Sequence, residues 1–232
     1  MKNFITNKFA VILIMFSIAA LLLSSCKKDT DDEIEPIVYG DAKVSVTNTV
    51  SGSNAQDFFQ NDTKISTTAV AYGETSPYLT VKAGNSTFAF KNMGSATTSA
   101  SIPVGLETNW SVSLFYIVDQ SGNPSIAGYI DNNTAPAEGK IKVRFINLAP
   151  ALVNTLTISS NNSAIVNGLG FGSVNPNGYI TLDADVALQV EVANTGIKVP
   201  LTGNTFVAGK IYNIWFDAAT TTTAKFHVIQ QN

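Results

Sequence analysis

The sequence predicts an all-β protein with two tandem domains, and three observations support this prediction. Thr, Ser, Asn, Val and Ile dominate the 232-residue chain, while charged residues make up only 13% of it. Branched side chains pack well on a pleated sheet, whereas helix surfaces usually need long charged side chains. Short alternating segments also recur between turn residues, and the chain contains an internal repeat of about 100 residues.

The N-terminal segment has the three parts of an export signal. Lys2 and Lys8 give it a positive start, and the largely apolar residues 9–23 are too few to span a membrane, which takes about 20 residues. The tetrapeptide Leu23-Ser24-Ser25-Cys26 resembles a lipobox, in which small residues precede a cysteine whose thiol is lipidated. We therefore predict cleavage before Cys26 and its lipidation. A short transmembrane anchor with an incidental cysteine is the alternative.

Cys26 is the only cysteine, so no intrachain disulfide can form. Acyl chains on its thiol would anchor the chain firmly to a membrane, since each buried CH₂ contributes ~0.8 kcal/mol. Residues 26–36 start with the hydrophilic stretch 27–33, which predicts a solvated tether. This stretch also resembles the charged signal of surface-exported lipoproteins in Bacteroidetes-type bacteria, with a plain flexible linker as the alternative. The membrane is therefore a predicted partner, and we expect the outer membrane, with the cell surface favoured over the periplasmic face.

The charge balance argues against a nucleic-acid partner. Removal of the predicted signal peptide, residues 1–25, takes away two lysines and leaves 12 basic and 17 acidic residues, a net charge of −5. A nucleic-acid-binding protein needs a basic face. Arg144 is the only arginine, and arginine is the preferred bidentate ligand for phosphate.

The internal repeat divides the chain after the tether into two copies. Three pairs of segments match in order: 42–48 with 141–147, 70–81 with 169–182, and 106–114 with 208–216. The last pair aligns Trp110 with Tyr212. The polar stretch 131–139 contains Pro and Gly and separates the copies. We predict a first domain over residues 37–134 and a second over 138–232.

Each copy reads as a series of short strands joined by turns. In the second copy the strands are expected near 141–147, 154–159, 164–171, 178–182, 186–193, 197–201, 210–217 and 224–230. Hairpin turns are expected at 119–124 and at 217–223, where turn-forming residues cluster. Even strand spacing with frequent turns predicts antiparallel, immunoglobulin-like β-sandwiches.

These residues also carry a family resemblance. The segment 142–147 followed by Ala149-Pro150, an aromatic-Gly turn with Tyr78 or Tyr179, and Gly209-x-x-Tyr212 resemble the family called domain of unknown function 4397. The resemblance implies exported bacterial proteins with tandem β-sandwiches, often lipoproteins, and it implies no catalytic residues. It spans residues 42–131 and 141–230. The second copy matches better, since Thr49-Val50 and Thr108-Asn109-Trp110 depart from the pattern.

A search for reactive groups finds few. His227 is the only histidine and alternates away from the core, so we expect an exposed strand residue. Catalytic triads and zinc sites need further His or Cys partners. Acidic pairs at 57/62 and 183/185, together with Asp131, could contribute to a weak Ca²⁺ site, but turn formation explains them more simply. We predict no catalytic residues, no metal site and no cofactor.

Aromatic side chains give the remaining candidate site. Trp110 is expected in the core of the first copy, whereas Trp215 points to the opposite face together with Asn213 and Asp217. A surface Trp beside hydrogen-bonding groups is typical of a sugar-binding platform, and burial of Trp215 against the sister domain is the alternative. Of the neighbours Phe58 and Phe59, at most one can be in the core.

Three functions fit these features. The first is a binding or adhesion module of the cell envelope, with a glycan or another envelope protein as candidate partner. The second is a structural, fimbria-like subunit that assembles through edge strands. The third is a carbohydrate hydrolase, which needs only two carboxylates.

Overall fold

The computed structural model describes residues 39–203 and 205–231, and the predicted signal peptide, Cys26 and the predicted tether lie outside these residues. Short strands alternate with turns along the described chain. The first half contains β1 (Asp41–Asn48), β2 (Gln56–Gln60), β3 (Thr63–Lys64), β4 (Leu79–Lys82), β5 (Gly84–Asn92), β6 (Thr98–Leu106), β7 (Ser111–Val118) and β8 (Pro124–Ile130). The second half contains β9 (Lys140–Asn147), β10 (Leu156–Ser160), β11 (Ser163–Leu169), β12 (Ile180–Asp183), β13 (Leu188–Val192), β14 (Lys198–Pro200), β15 (Ile211–Thr220) and β16 (Thr223–Gln230). The all-β prediction is confirmed, and each strand predicted in the second copy lies within three residues of an observed one.

Each half of the described chain forms two four-stranded sheets. One sheet has the order β4-β1-β7-β8 in the first half and β12-β9-β15-β16 in the second; we call these two the inner sheets. The outer sheets have the orders β3-β2-β5-β6 and β11-β10-β13-β14. No sheet draws strands from both halves, and the stretch 131–139 between β8 and β9 contains no strand.

The inner sheets are mixed rather than purely antiparallel. β1 pairs with β7 in parallel, with Ser45 opposite Ser113, and β9 pairs with β15 in parallel, with Arg144 opposite Asn213. A parallel pair cannot be closed by a tight turn, so the chain crosses to the outer sheet between these strands. The two predicted hairpins, β7–β8 and β15–β16, are antiparallel as expected.

Each half has its own apolar core between its two sheets. Alternate residues of β1 and β7, such as Val44 and Leu114, are buried in the first core. The second core holds Tyr212, Ile214 and Phe216, all on one face of β15 as the alternation predicts. Because successive strand residues point to opposite faces, the other face of each inner sheet must meet either solvent or another surface.

That other face forms a third apolar cluster, which joins the two halves. Phe115 and Ile117 of β7 pack in it with Ile146 of β9 and Trp215 of β15, and Leu148 completes its buried part. The two halves accordingly belong to one compact unit. We call this contact between the inner sheets the junction.

Strand pairing defines which residues of the two halves are equivalent. Asn48 and Asn147 end β1 and β9, and each donates its amide to a main-chain carbonyl, that of Val70 or of Leu169. Ser45 and Arg144, each three residues before these asparagines, are therefore equivalent. Because Ser45 pairs with Ser113 and Arg144 pairs with Asn213, each residue of β7 is equivalent to the residue of β15 that lies 100 positions later. The predicted alignment of Trp110 with Tyr212 is therefore wrong, because Val112 occupies the equivalent position.

Among the described residues, no helix combines the length and the apolar character that a membrane crossing requires.

Candidate functional site

The predicted exposure of Trp215 is wrong, because its side chain is 0% exposed. The residue does point away from the core of its own half, but the inner sheet of the first half covers it. His227 stacks on its indole, with ring centroids 3.8 Å apart and nearly parallel planes. The alternative stated above, burial against the sister domain, is the observed arrangement, and Trp215 cannot stack on a sugar ring in this state.

Asn213 and His227 are also withdrawn from solvent at the junction. Asn213 is 1% exposed, accepts a hydrogen bond from Nε of Arg144 at 2.9 Å and donates one to Oγ of Ser113 at 3.2 Å. The side chain of His227 is only 16% exposed, so the expectation of an exposed strand residue is wrong. Local alternation gives the correct direction of both side chains, but it does not reveal that a second sheet covers them.

Asp217 lies in a half-buried polar cluster that spans the two halves. It accepts a short hydrogen bond from the hydroxyl of Tyr72, and Nε2 of His227 lies 3.4 Å from its Oδ2. Lys225 donates to the same Tyr72 hydroxyl at 2.9 Å. Burial raises the pKa of Asp217, but hydrogen bonds from His227 and Tyr72 and the charges of His227 and Lys225 outweigh it, so the pKa lies below its usual value. The carboxylate of Asp217 therefore makes contacts that join the two halves.

A buried ion pair forms the polar centre of the junction. Nη2 of Arg144 lies 2.5 Å from Oδ1 of Asp131, and the two side chains are 2% and 0% exposed. Arg144 uses its Nη1 to donate to the carbonyl of Ile130 at 2.9 Å. Asp131 also accepts hydrogen bonds from the hydroxyls of Ser113 at 2.9 Å and Tyr78 at 2.7 Å. Because each charge has a partner and further hydrogen bonds, the desolvation cost is largely compensated.

Next to this ion pair, two adjoining cavities follow the stretch that connects the halves. They have volumes of about 460 and 480 Å³, and both are lined by Ile130, Asp131 and Asn132. We call the two cavities together the linker groove. Its side chains with stacking or hydrogen-bonding capacity include Trp110, Tyr129, Tyr179, Asn132, Asn133 and Asn177.

Three half-buried aromatic side chains are the main feature of the linker groove. Trp110 lines one cavity, while Tyr129 and Tyr179 line the other. The guanidinium carbon of Arg144 lies 5.4 and 4.8 Å from the ring centroids of Tyr129 and Tyr179. Burial raises the pKa of both Tyr129 and Tyr179 to about 12, even though the charge of Arg144 lowers it. Both hydroxyls stay protonated at neutral pH, and each donates within the protein, that of Tyr129 to the carbonyl of Gly172 at 3.0 Å and that of Tyr179 to Oε1 of Gln231 at 2.8 Å.

A cavity with equivalent residues lies on the opposite side of the junction. It has a volume of about 430 Å³ and is lined by Ser45, Tyr78 and Gln231, which correspond to Arg144, Tyr179 and Asp131. Ile229 replaces Tyr129 there. The linker groove is therefore the more aromatic and more polar of the two equivalent places.

In each acidic pair considered for calcium, at least one carboxylate forms an ion pair with a lysine. Asp57 lies 2.7 Å from Lys64, and Asp183 lies 2.6 Å from Lys140. Among residues 39–203 and 205–231, no cluster of three or more His, Cys, Asp or Glu side chains could hold a metal ion.

The sequence predicts only some of the residues that line the linker groove. Trp110 was expected in the core; it packs against that core but is only half-buried and lines the groove. Tyr179 stood out only as a repeat position shared with Tyr78, and Tyr129 gave no signal. The tyrosine that the two copies share, Tyr78 and Tyr179, is the one sequence feature that points to the groove. The hydroxyl of Tyr78 donates to Asp131, and that of Tyr179 donates to the equivalent residue, Gln231.

The fold and the groove define a class: an all-β protein of two joined sandwich halves with a surface cleft beside the connecting stretch. Residues 42–155 match the model of the family described as "Domain of unknown function (DUF4397)", which confirms the predicted family resemblance over this part of the chain. The matched segment covers the first half, the connecting stretch and β9, whereas the second copy was expected to be the better member. No curated protein matches the chain.

Two solved structures are similar over most of the chain at low identity. One is a carbohydrate-binding module of family CBM26 from Eubacterium rectale in complex with maltoheptaose, with 12% identity and a TM-score of 0.27, covering 83% of this chain and 98% of that one. The other is a candidate cell adhesion protein from Bacteroides uniformis, with 10% identity and a TM-score of 0.26 at the same coverage. At these TM-scores the likenesses carry no argument about this chain.

Proposed function

We propose that the protein is a lipid-anchored binding module of the cell envelope and that the linker groove binds a glycan. The observation that carries this proposal is the clustering of Trp110, Tyr129 and Tyr179 along two adjoining cavities that also present amide side chains. The proposal moves the binding site from Trp215, which is buried, to a cleft that is open to solvent.

The chemistry of the groove suits a sugar chain. Sugar rings have apolar faces that stack on aromatic side chains, and their hydroxyls need hydrogen-bonding partners at the rim. Asn132, Asn133 and Asn177 are exposed and supply both donors and acceptors. The cavity volumes, about 460 and 480 Å³, fall within the range typical of ligand sites, roughly 300–1,000 Å³.

A glycan screen with the full-length chain in detergent tests this proposal. We expect binding that Trp110→Ala and Tyr179→Ala each weaken at least tenfold, because each removes a stacking surface. Phe59→Ala is the control, since Phe59 is a half-buried aromatic residue of the outer sheet that lines neither cavity. Thermal unfolding of each variant checks that folding is retained. Equal loss in all three variants, or no glycan bound by the parent chain, would contradict the proposal.

We propose binding without hydrolysis. Glycoside hydrolysis commonly uses two carboxylates about 5–10 Å apart. Asp131 is the acid that lines the linker groove, and it is held by Arg144, Ser113 and Tyr78. Incubation of bound glycans with the protein, followed by product analysis, is expected to release no shorter fragments.

Assembly through edge strands is less favoured than binding. Three of the eight edge strands, β6, β8 and β14, contain a proline, namely Pro103, Pro124 and Pro200. Proline lacks the main-chain N–H that a new strand partner would need, and it commonly protects sheet edges.

The anchor on Cys26 and the outward-facing location are part of the proposal and have their own test. Protease treatment of intact cells is expected to digest the 39–232 region, and Cys26→Ala is expected to release the protein from the membrane fraction. Full protection on intact cells would place the groove on the periplasmic side and leave the binding proposal standing.

A further inference from the structure

Lys142 lies beside the linker groove and has no carboxylate partner among the residues that the structure describes. It lies in β9, two residues before Arg144, and is only 9% exposed. Its ammonium donates to Oδ1 of Asn132 at 3.0 Å and lies 5.6 Å from the ring centroid of Tyr179. Both neighbours line the groove.

The charge of Lys142 remains after the nearby groups are counted. Arg144 and Asp131 neutralise each other at 2.5 Å, so among the described charged groups here only the ammonium of Lys142 remains uncompensated. Burial lowers the pKa of Lys142, which reflects the cost of holding an ammonium away from water without an anion. An anion brought by a ligand would relieve this cost.

Lys142 has hydrogen-bonding capacity left for such an anion. An ammonium has three N–H donors, and Asn132 is the one hydrogen-bond acceptor that Lys142 uses among the described residues. Asn132 belongs to the exposed connecting stretch, so an incoming group can approach beside it. The equivalent lysine of the first half, Lys43, is exposed to solvent and does not share this environment.

We infer that the linker groove selects acidic glycans, whose uronic-acid carboxylates pair with Lys142 while the sugar rings stack on the groove's aromatic side chains. This inference rests on the proposed glycan-binding function and adds the class of sugar. A partly buried ion pair with a ligand is stronger than an exposed one, because water and salt screen it less.

The test uses three uronic-acid polymers, polygalacturonate, alginate and hyaluronan, each paired with its carboxyl-reduced neutral form. Titration calorimetry with the full-length chain in detergent is expected to show at least one acidic polymer binding about tenfold tighter than its reduced form. Lys142→Gln is expected to abolish this preference and Lys142→Arg to retain it. Lys43→Gln is the matched control and should leave the preference unchanged.

The outcomes separate the inference from the proposal beneath it. Equal affinity for acidic and reduced polymers, or binding confined to neutral glycans of the screen, overturns the inference and leaves glycan binding intact. A preference that persists in Lys142→Gln, or that falls equally in Lys43→Gln, also overturns it. Absence of binding to every acidic and neutral glycan removes both. If Lys142→Gln fails to fold, Lys142→Met, which keeps the apolar length of the side chain and removes its charge, takes its place and is likewise expected to abolish the preference.

Discussion

The two halves of the molecule differ most where they meet. At positions that face each half's own core, equivalent residues keep their apolar character, as Leu114 and Ile214 do. At positions that face the junction they diverge, with Ile117 equivalent to Asp217 and Ala127 to His227. A core only requires apolar side chains of suitable volume, whereas the two junction faces must complement each other. The junction therefore has one polar cluster, at Asp217, whose equivalent location in the first half contains no charged residue at positions 117, 125 and 127.

The largest expected effect comes from comparing the two tryptophans. Trp215→Ala should lower the free energy of unfolding by about 4 kcal/mol, because a fully buried aromatic is lost and a cavity remains. Trp110→Ala should cost about half as much or less, since Trp110 is half-buried, but it should impair glycan binding. Urea denaturation and binding assays on both variants measure this difference. A larger stability loss for Trp110→Ala would contradict the assignment of the two residues.

The buried ion pair gives the next largest effect. Arg144→Met should lower the free energy of unfolding by about 3 kcal/mol, because Asp131 is left buried without its partner. Ser45→Ala, at the equivalent position, should cost less than about 1 kcal/mol, since a single neutral hydrogen bond is lost. The double variant Arg144→Met with Asp131→Asn should recover part of the loss. A double variant less stable than Arg144→Met alone would rule out an uncompensated charge as the cause.

Removal of a tyrosine hydroxyl should have a larger effect on stability in the polar cluster around Asp217 than beside the linker groove. Tyr72→Phe should destabilise the protein by about 1 kcal/mol, because Asp217 loses a hydrogen bond to its charged carboxylate. Tyr129→Phe should have a smaller effect, since its hydroxyl donates to the neutral carbonyl of Gly172 at 3.0 Å. Thermal unfolding of the two variants side by side gives the comparison, and equal effects would argue against a special role of Asp217.

The smallest expected effect is a pH dependence that originates at Asp217. Its pKa is lower in the folded state than in the unfolded chain, so its contribution to stability is complete above the unfolded value, about 3.9, and is lost as pH falls through the folded value. Asp217→Asn should therefore flatten the acid side of the stability profile, measured by denaturation between neutral and acidic pH. Ile117→Ala, at the equivalent position, should lower the profile without changing its shape. An unchanged acid slope in Asp217→Asn would exclude this carboxyl as the source.

Local alternation predicts the strands and cores but not the junction. The pattern around Trp215 indicates correctly that it faces away from Ile214 and Phe216, yet the same pattern arises whether solvent or another sheet lies on that side. The predicted equivalence of Trp110 and Tyr212 rests on their shared aromatic character, which does not determine strand register. Strand pairing makes Val112 the equivalent of Tyr212. The linker groove combines Trp110, Tyr129 and Tyr179, which lie far apart in the chain, so no short segment could reveal it.

The position of β1 within its sheet determines how the protein responds to mechanical load. The chain enters the described region at Tyr39, and β1 follows directly, bonded to β4 on one side and to β7 on the other. A pull on Tyr39 along the strand axis therefore shears both ladders at once, and the hydrogen bonds share the force instead of opening one after another. With the proposed lipid anchor on Cys26, load from the membrane would enter the fold through this doubly bonded strand.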